Sequence, residues 1–171
     1  KQETPLRQVL TRHPIDVLHL MACMLLFCGG FYTLFVWMPT YQSKVIPNPI
    51  DHAIDLNTLS MLVLVLLLPV GGLMGDRFGF RRMMLWGIGI TGIGVYPLFI
   101  WIDTGSFLGA LISGLIFALA ISWVQGPMPA MLAHTFPRDI RNTGVGIAYN
   151  LAMGLFGGTT PMVCTWLINA T

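Results

Sequence analysis

One acid and three arginines crowd into seven residues, DRFGFRR at 76–82, in a chain otherwise almost without charge. Asp76, Arg77, Arg81 and Arg82 offer charge–dipole chemistry: an acid favours a helix N-terminus, and arginines favour a C-terminus. Gly72 and Gly79 among them allow a sharp turn with positive φ. A second set is polar and neutral. Tyr32, Gln125, Tyr149 and Asn150 sit inside apolar runs, with Trp123 near Gln125. Such groups are costly in lipid, so they should face a cavity or another helix. Hydrogen bonds between helices, about 0.6–2 kcal/mol each, explain Gln125 and Asn150 as well as ligand binding does. For Thr33, Ser113 and Ser122, packing between helices is the simpler reading. A third set bends backbone: Pro127 and Pro129 beside Gly126, and Pro161 beside Gly157 and Gly158. Proline removes a backbone bond and can kink a helix, which makes these hinge candidates. The alternative is a tolerated membrane proline whose freed carbonyl is satisfied by neighbours.

The acids are as informative by their placing. Glu3, Asp16, Asp51, Asp55, Asp76, Asp103 and Asp139 all fall at span ends or in loops. None stands at mid-membrane, where a proton relay needs a buried ionisable group. Asp16 and His19, at i and i+3, are expected to pair on one helix face. Cys23, Cys28 and Cys164 lie in apolar runs with no thiolate cluster or metal spacing, so core packing is expected of them. No catalytic residue, metal or cofactor is expected, and the chain is not read as an enzyme.

Membrane-spanning helices must hold these groups at their depths. The chain is 55% hydrophobic and 9% charged, against about 25% charged residues in soluble domains. A soluble globule could not be covered with so few charges. Five runs suffice for a helix of about 20 residues to cross the hydrocarbon: about 17–38, 56–74, 83–102, 106–130 and 143–168, none containing Lys, Arg, Asp or Glu. Helices are expected because lipid offers unpaired backbone no hydrogen bonds, and the short alternating runs of a barrel are absent. Lys1, Arg7, Arg12, Arg77, Arg81, Arg82, Arg138 and Arg141 fall on one side and Lys44 alone on the other. That bias places the front end and the 75–82 and 134–142 loops in the cytoplasm. Trp37, Tyr41 and Trp101 read as interfacial anchors. The 39–55 loop, with its prolines, is expected to be irregular, with Asp55 capping the second span and Asn57 and Thr58 in its first turn. The GIGITG run places Gly87, Gly89 and Gly92 as G-x-G-x-x-G. Inside a membrane span it predicts close helix packing rather than dinucleotide binding. Gly105/Gly109 and Gly154/Gly158 are further small-residue pairs. The polar start KQETPLRQVLTRHP has no signal-peptide pattern, and the chain is read as a piece of something longer.

Gly72, Asp76, Arg77, Gly79, Arg81 and Arg82 resemble the signature cytoplasmic loop G-x-x-x-D-R-x-G-R-R/K of the major facilitator superfamily of secondary transporters. The match departs at Phe80, where a basic residue is common. FPRDIRNTG at 136–144 and YNLAMGLFGGTTP at 149–161 resemble the tenth-to-eleventh span region of the metabolite:proton symporter branch, through Phe136, Pro137, Arg141, Gly144, Tyr149, Asn150, Gly157, Gly158 and Pro161. FYTLFVWMPTY at 31–41 is similar to the seventh span, and QETP to the link after the sixth. His134 stands where many members carry an acid, which removes the expected carboxylate for Arg141.

The resemblance implies an all-α membrane protein, with five transmembrane helices forming most of the C-terminal half of a twelve-helix fold. Residues 1–15 would be a remnant of the central cytoplasmic loop and 16–171 the half itself, its last span missing. The implied function is secondary transport of a small organic acid or zwitterion by alternating access, with a proton as the coupling ion. The implied gate is Asp76, Arg77, Arg81 and Arg82, with Phe136, Pro137 and Arg141 in the second loop. Tyr32, Gln125, Tyr149 and Asn150 would face the substrate cavity. The partners would be the bilayer, a small-molecule substrate and the N-terminal half of the same chain, with no nucleic acid, in a plasma membrane or bacterial inner membrane. A transporter-like receptor or scaffold, or a truncated inactive product, are the alternatives.

Overall fold

A computed structural model describes residues 4–170. Lys1 and Glu3, counted above among the charges, and Thr171 lie outside the described residues. Among those residues, five helical stretches are long and apolar enough to cross a membrane: Pro14–Val45, Ala53–Phe78, Phe80–Asp103, Phe107–Thr135 and Arg141–Ala170. This is the expected all-α membrane fold, with no strand among the described residues. The elements are α1 (Pro5–Arg12), α2 (Pro14–Phe31), α3 (Met38–Thr40), α4 (Ala53–Phe78), α5 (Phe80–Asp103), α6 (Phe107–Gln125), α7 (Met128–Thr135), α8 (Arg141–Ala152) and α9 (Gly158–Ala170), with π-helical segments at Tyr32–Trp37, Tyr41–Val45 and Met153–Gly157.

Apart from the start of the fourth, the helices exceed the apolar runs at both ends. The first stretch stays helical to Val45, so QSKV, expected in an irregular loop, is helical. Asp55 does not cap the second span. His52 takes that position in a left-handed conformation (φ 62), and its Nδ1 meets the Asp55 carboxylate at 3.0 Å. Asp16 likewise pairs with His13 at 2.7 Å, not with His19. In both cases the histidine stands at the position before the helix and the acid in its first turn, where the helix dipole favours an acid.

The described residues fall into two compact units. Tyr32 and the chain before it join the chain from Pro129 on, while Thr33–Met128 forms the other. In the Thr33–Met128 unit, α4 and α5 each pack on α6. The α4–α6 contact is a glycine seam. A Cβ added at Gly126 would stand 2.6 Å from Gly72 N, 2.7 Å from the Gly71 carbonyl carbon and 2.8 Å from the Leu68 oxygen. At Gly75 a Cβ would meet the Pro127 ring at 2.7 Å. Gly71 and Gly75 form a small-xxx-small pair of the kind that brings membrane helices close. Of the GIGITG glycines only Gly87 packs so, against Ala120 and Val124; Gly89, Gly92, Gly154 and Gly158 have nothing near their Cβ positions. Ser106 caps α6, accepting from the Gly109 N–H at 3.2 Å. Ser113 donates to the Leu98 carbonyl of α5 at 3.4 Å, in the packing role expected of it.

Proline explains one irregularity. Pro39 cannot donate to the carbonyl of Phe35 four residues back, and its ring crowds that oxygen. The backbone there is the widened π segment Tyr32–Trp37, and π turns often mark such faults. The Phe35 oxygen accepts from Asn57 Nδ2 of α4, at 2.9 Å. Asn57→Ala should remove that hydrogen bond and lower folding stability by about 0.5–1.5 kcal/mol. Thermal unfolding in detergent, beside the neighbouring Thr58→Ala variant as reference, checks this.

In the other unit, α2 packs on α8 and on the Met153–Gly157 π segment, and α1 on α8. Val9 of α1 is fully buried. Cys28 is buried with its Sγ 3.2 Å from Met153 Sδ, the packing role expected of it. A Cβ at Gly157 would stand 2.7 Å from the Tyr32 ring, so this glycine is the ring's seat.

Candidate functional site

The charged stretch at 76–82 is tighter than expected. Instead of a short loop, one residue joins α4 to α5. Gly79 (φ 90, ψ 131) sits in backbone space open essentially to glycine alone. Asp76 and Arg77 therefore lie in the last turn of α4, and Arg81 and Arg82 in the first turn of α5. All four side chains are exposed. Arg77 suits a helix C-terminus and lies 5.6 Å from the Phe78 ring centre. The other three oppose the dipole of their own helix: an acid at a C-terminus, two arginines at an N-terminus. Each such placement costs about 0.3–1 kcal/mol. Among the described residues the ion pairs are His13–Asp16 and His52–Asp55, so these charges do not neutralise one another. Gly79→Ala should cost about 1–3 kcal/mol, visible as a lower thermal midpoint, while Gly72→Ala, whose Cβ would keep ordinary contact at 3.5 Å, changes it less.

Phe136, Pro137 and Arg141 form one folded turn. The Phe136 ring is buried on Gly144, where a Cβ would meet it at 2.8 Å. Ile140, also buried, donates its N–H to the Pro137 carbonyl at 3.2 Å. Arg141 is the first residue of α8, and its Nε donates to the Phe136 carbonyl at 3.3 Å. A carbonyl, not a carboxylate, thus holds the arginine, as the histidine at position 134 suggested.

Arg141 also lines an open groove of about 450 Å³ with Leu132, Ala133, Asn142, Val145, Gly146 and Tyr149. An adjoining groove runs past Asn142 and Gly146 to Asn150. Arg141 and Tyr149 thus border one groove, and Asn150 borders the next, on the other side of α8. The first groove offers a guanidinium, a phenol and the Asn142 amide over an apolar floor, suited to a small molecule with an anionic group. Asn150 also donates to the Gly146 carbonyl of its own helix at 2.7 Å. Tyr32 lies apart, packed on Gly157 and edge-on to Phe31 at 5.9 Å between ring centres. Gln125, half-buried in the other unit, ends α6 just before the helix breaks.

Of the hinge candidates, Gly126–Pro127 is a turn that separates α6 from α7. Pro129 sits in the first turn of α7, where no N–H is needed. Pro161 lies inside α9, as Pro69 and Pro97 lie inside α4 and α5. Proline alone thus does not interrupt a helix here, while the Gly–Pro pair does. Sequence reading passed over Gln42, Asn57 and Ser60 as a group. The available signal was Asn57 and Ser60 at i and i+3 in an apolar run, one face of a helix.

Among the described residues no cluster of three His, Cys, Asp or Glu could hold a metal ion. The fold and its exposed apolar faces define an integral membrane protein. A sequence profile described as Major Facilitator Superfamily matches residues 51–171. The chain belongs to that family of membrane transporters. It is 27% identical over 164 residues to a "Putative proline/betaine transporter" of Staphylococcus aureus (strain MSSA476), covering 96% of this chain and 35% of the relative. It is 28% identical over 167 residues to the "Proline/betaine transporter" of Salmonella typhimurium (96% and 33%). It is 27% identical over 166 residues to that of Escherichia coli K12 (96% and 33%). The chain thus spans about a third of the length of these curated relatives. No solved structure gives a significant match.

Proposed function

We propose that this chain forms most of the C-terminal half of a secondary active transporter of the metabolite:proton symporter branch. The whole protein moves a small organic acid or zwitterion, and proline and betaine are the first substrates to test. Two halves rock around a central site, and a proton is the coupling ion. Residues 1–15 belong to the central loop and 16–171 to the transmembrane half. The front end, the Gly79 turn and the 134–142 connection face the cytoplasm, in a plasma membrane or bacterial inner membrane. The partners are lipid, substrate and the first half of the chain, which supplies the proton-carrying carboxylate that these spans do not place at mid-depth. No catalytic step is involved.

The observation that carries this reading is similarity over 96% of the chain to proteins named as transporters. The groove bordered by Arg141, Asn142 and Tyr149 supports an anionic or zwitterionic substrate. Full-length protein in proteoliposomes, offered radiolabelled proline, betaine and dicarboxylates at two pH values with and without sodium, tests it. Uptake driven by an inward proton gradient and indifferent to sodium is the expected result. No accumulation of any of them would remove the transport reading in favour of a receptor or scaffold.

A further inference from the structure

Beyond Pro39 the first span buries a polar side chain that its neighbours leave unanswered. Gln42, in the Tyr41–Val45 π segment, is 4% exposed. The chain after it folds back, and the Ile50 N–H donates to the Gln42 backbone carbonyl at 2.9 Å. The side-chain amide has no hydrogen-bond partner among the described residues. It lines a small, partly open cavity of about 10 Å³ with Met38, Asn57, Ser60, Gly114 and Phe117, all in the Thr33–Met128 unit. That volume is about what a single water needs.

The lining has the right complement of groups. Ser60, 3% exposed, donates its hydroxyl hydrogen to the Leu56 carbonyl at 2.9 Å and keeps its lone pairs. Asn57 donates to the Phe35 carbonyl, and its Oδ1 remains an acceptor. The Gln42 amide brings both a donor and an acceptor. Gly114 keeps the space open, since a Cβ there would collide with the Ser60 hydroxyl.

We propose that this cavity is a binding site for one ordered water, which accepts from Gln42 Nε2 and donates to Ser60 Oγ and Asn57 Oδ1. No carboxylate lines the site to offset a cation's charge, so the neutral ligand is favoured over sodium. The water joins the first span to the second at the place where Pro39 has broken the backbone ladder. Asn57 serves both sides of that joint, through the Phe35 carbonyl and through the water. The proposal rests on this unit's geometry alone and stands or falls apart from the transport reading.

Pulsed-radiolysis hydroxyl-radical labelling of the full-length protein tests it, because radicals born from a trapped water oxidise the side chains beside it. Met38, 4% exposed, lines the cavity, whereas Met24 and Met83, fully buried, do not. Met38 should be oxidised several-fold faster than Met24 and Met83 in sodium-free buffer and in sodium alike. Gln42→Leu should abolish that excess; if this variant fails to fold, Ser60→Ala carries the same expectation. Equal rates at the three methionines overturn the proposal. So does an excess at Met38 that survives loss of the Gln42 amide, or one that sodium suppresses.

Discussion

Gly126→Ala should destabilise the protein far more than Gly89→Ala, although both put a methyl on a glycine of an apolar span. At Gly126 the new Cβ would fall between 2.6 and 2.8 Å from three backbone atoms of α4, at Gly72, Gly71 and Leu68. Backbone of a packed helix cannot rotate away as a side chain can, so α4 and α6 must separate. Overpacking of this kind costs typically about 1–3 kcal/mol, and here the displaced seam also includes Gly75 on Pro127. At Gly89 nothing lies within 4 Å of the Cβ position, and alanine is the better helix former by about 0.8–1.0 kcal/mol. Thermal midpoints in matched detergent should therefore move in opposite directions. Equal midpoints for the two variants would show that the α4–α6 seam does not close as described.

That contrast also shows where sequence stops being legible. The number, type and order of the spans could be read from long uncharged apolar runs, because lipid admits few other solutions. Which glycines pack could not. Gly87, Gly89 and Gly92 look alike along the chain, yet only Gly87 meets a neighbour, since packing depends on which helix face turns inward. Helix ends were under-read for a related reason: backbone hydrogen bonding continues past the apolar run until a residue such as Gly79 forces a turn. The polar candidates were found by type and depth, but not by company. Arg141 and Tyr149 border one groove, while helical spacing puts Asn150 on the other side of α8, beside the next groove. Gln42 escaped notice because a lone amide near a proline-rich stretch looks like loop. Only the fold shows it buried beside a cavity that Asn57 and Ser60 also line.

Asp76→Asn should leave the full-length protein folded and inserted yet slow uptake about tenfold or more, which corresponds to about 1.4 kcal/mol or more of lost interaction. The argument starts from the cost of the native arrangement. Asp76 ends a helix, where its charge is disfavoured, and Arg81 and Arg82 begin one, where theirs are. All are exposed and without an ion pair among the described residues, so removing the Asp76 charge relieves this chain rather than injuring it. Stability should be unchanged or slightly raised. On the transporter reading these charges meet helix ends of the other half in one state of the cycle. Hydrogen bonds to a charged group contribute about 1.5–3 kcal/mol, enough to shift a two-state equilibrium by one to two powers of ten. Asparagine keeps the shape but not the charge, so the state closed at this end loses population. Cysteine probes placed beside the turn should then react faster with an impermeant reagent from that side, and Asp76→Glu should restore part of the uptake. A variant with wild-type uptake and probe rates would remove Asp76 from the gate. A variant that loses its thermal midpoint along with uptake would make the residue structural, against the dipole argument that this turn presents.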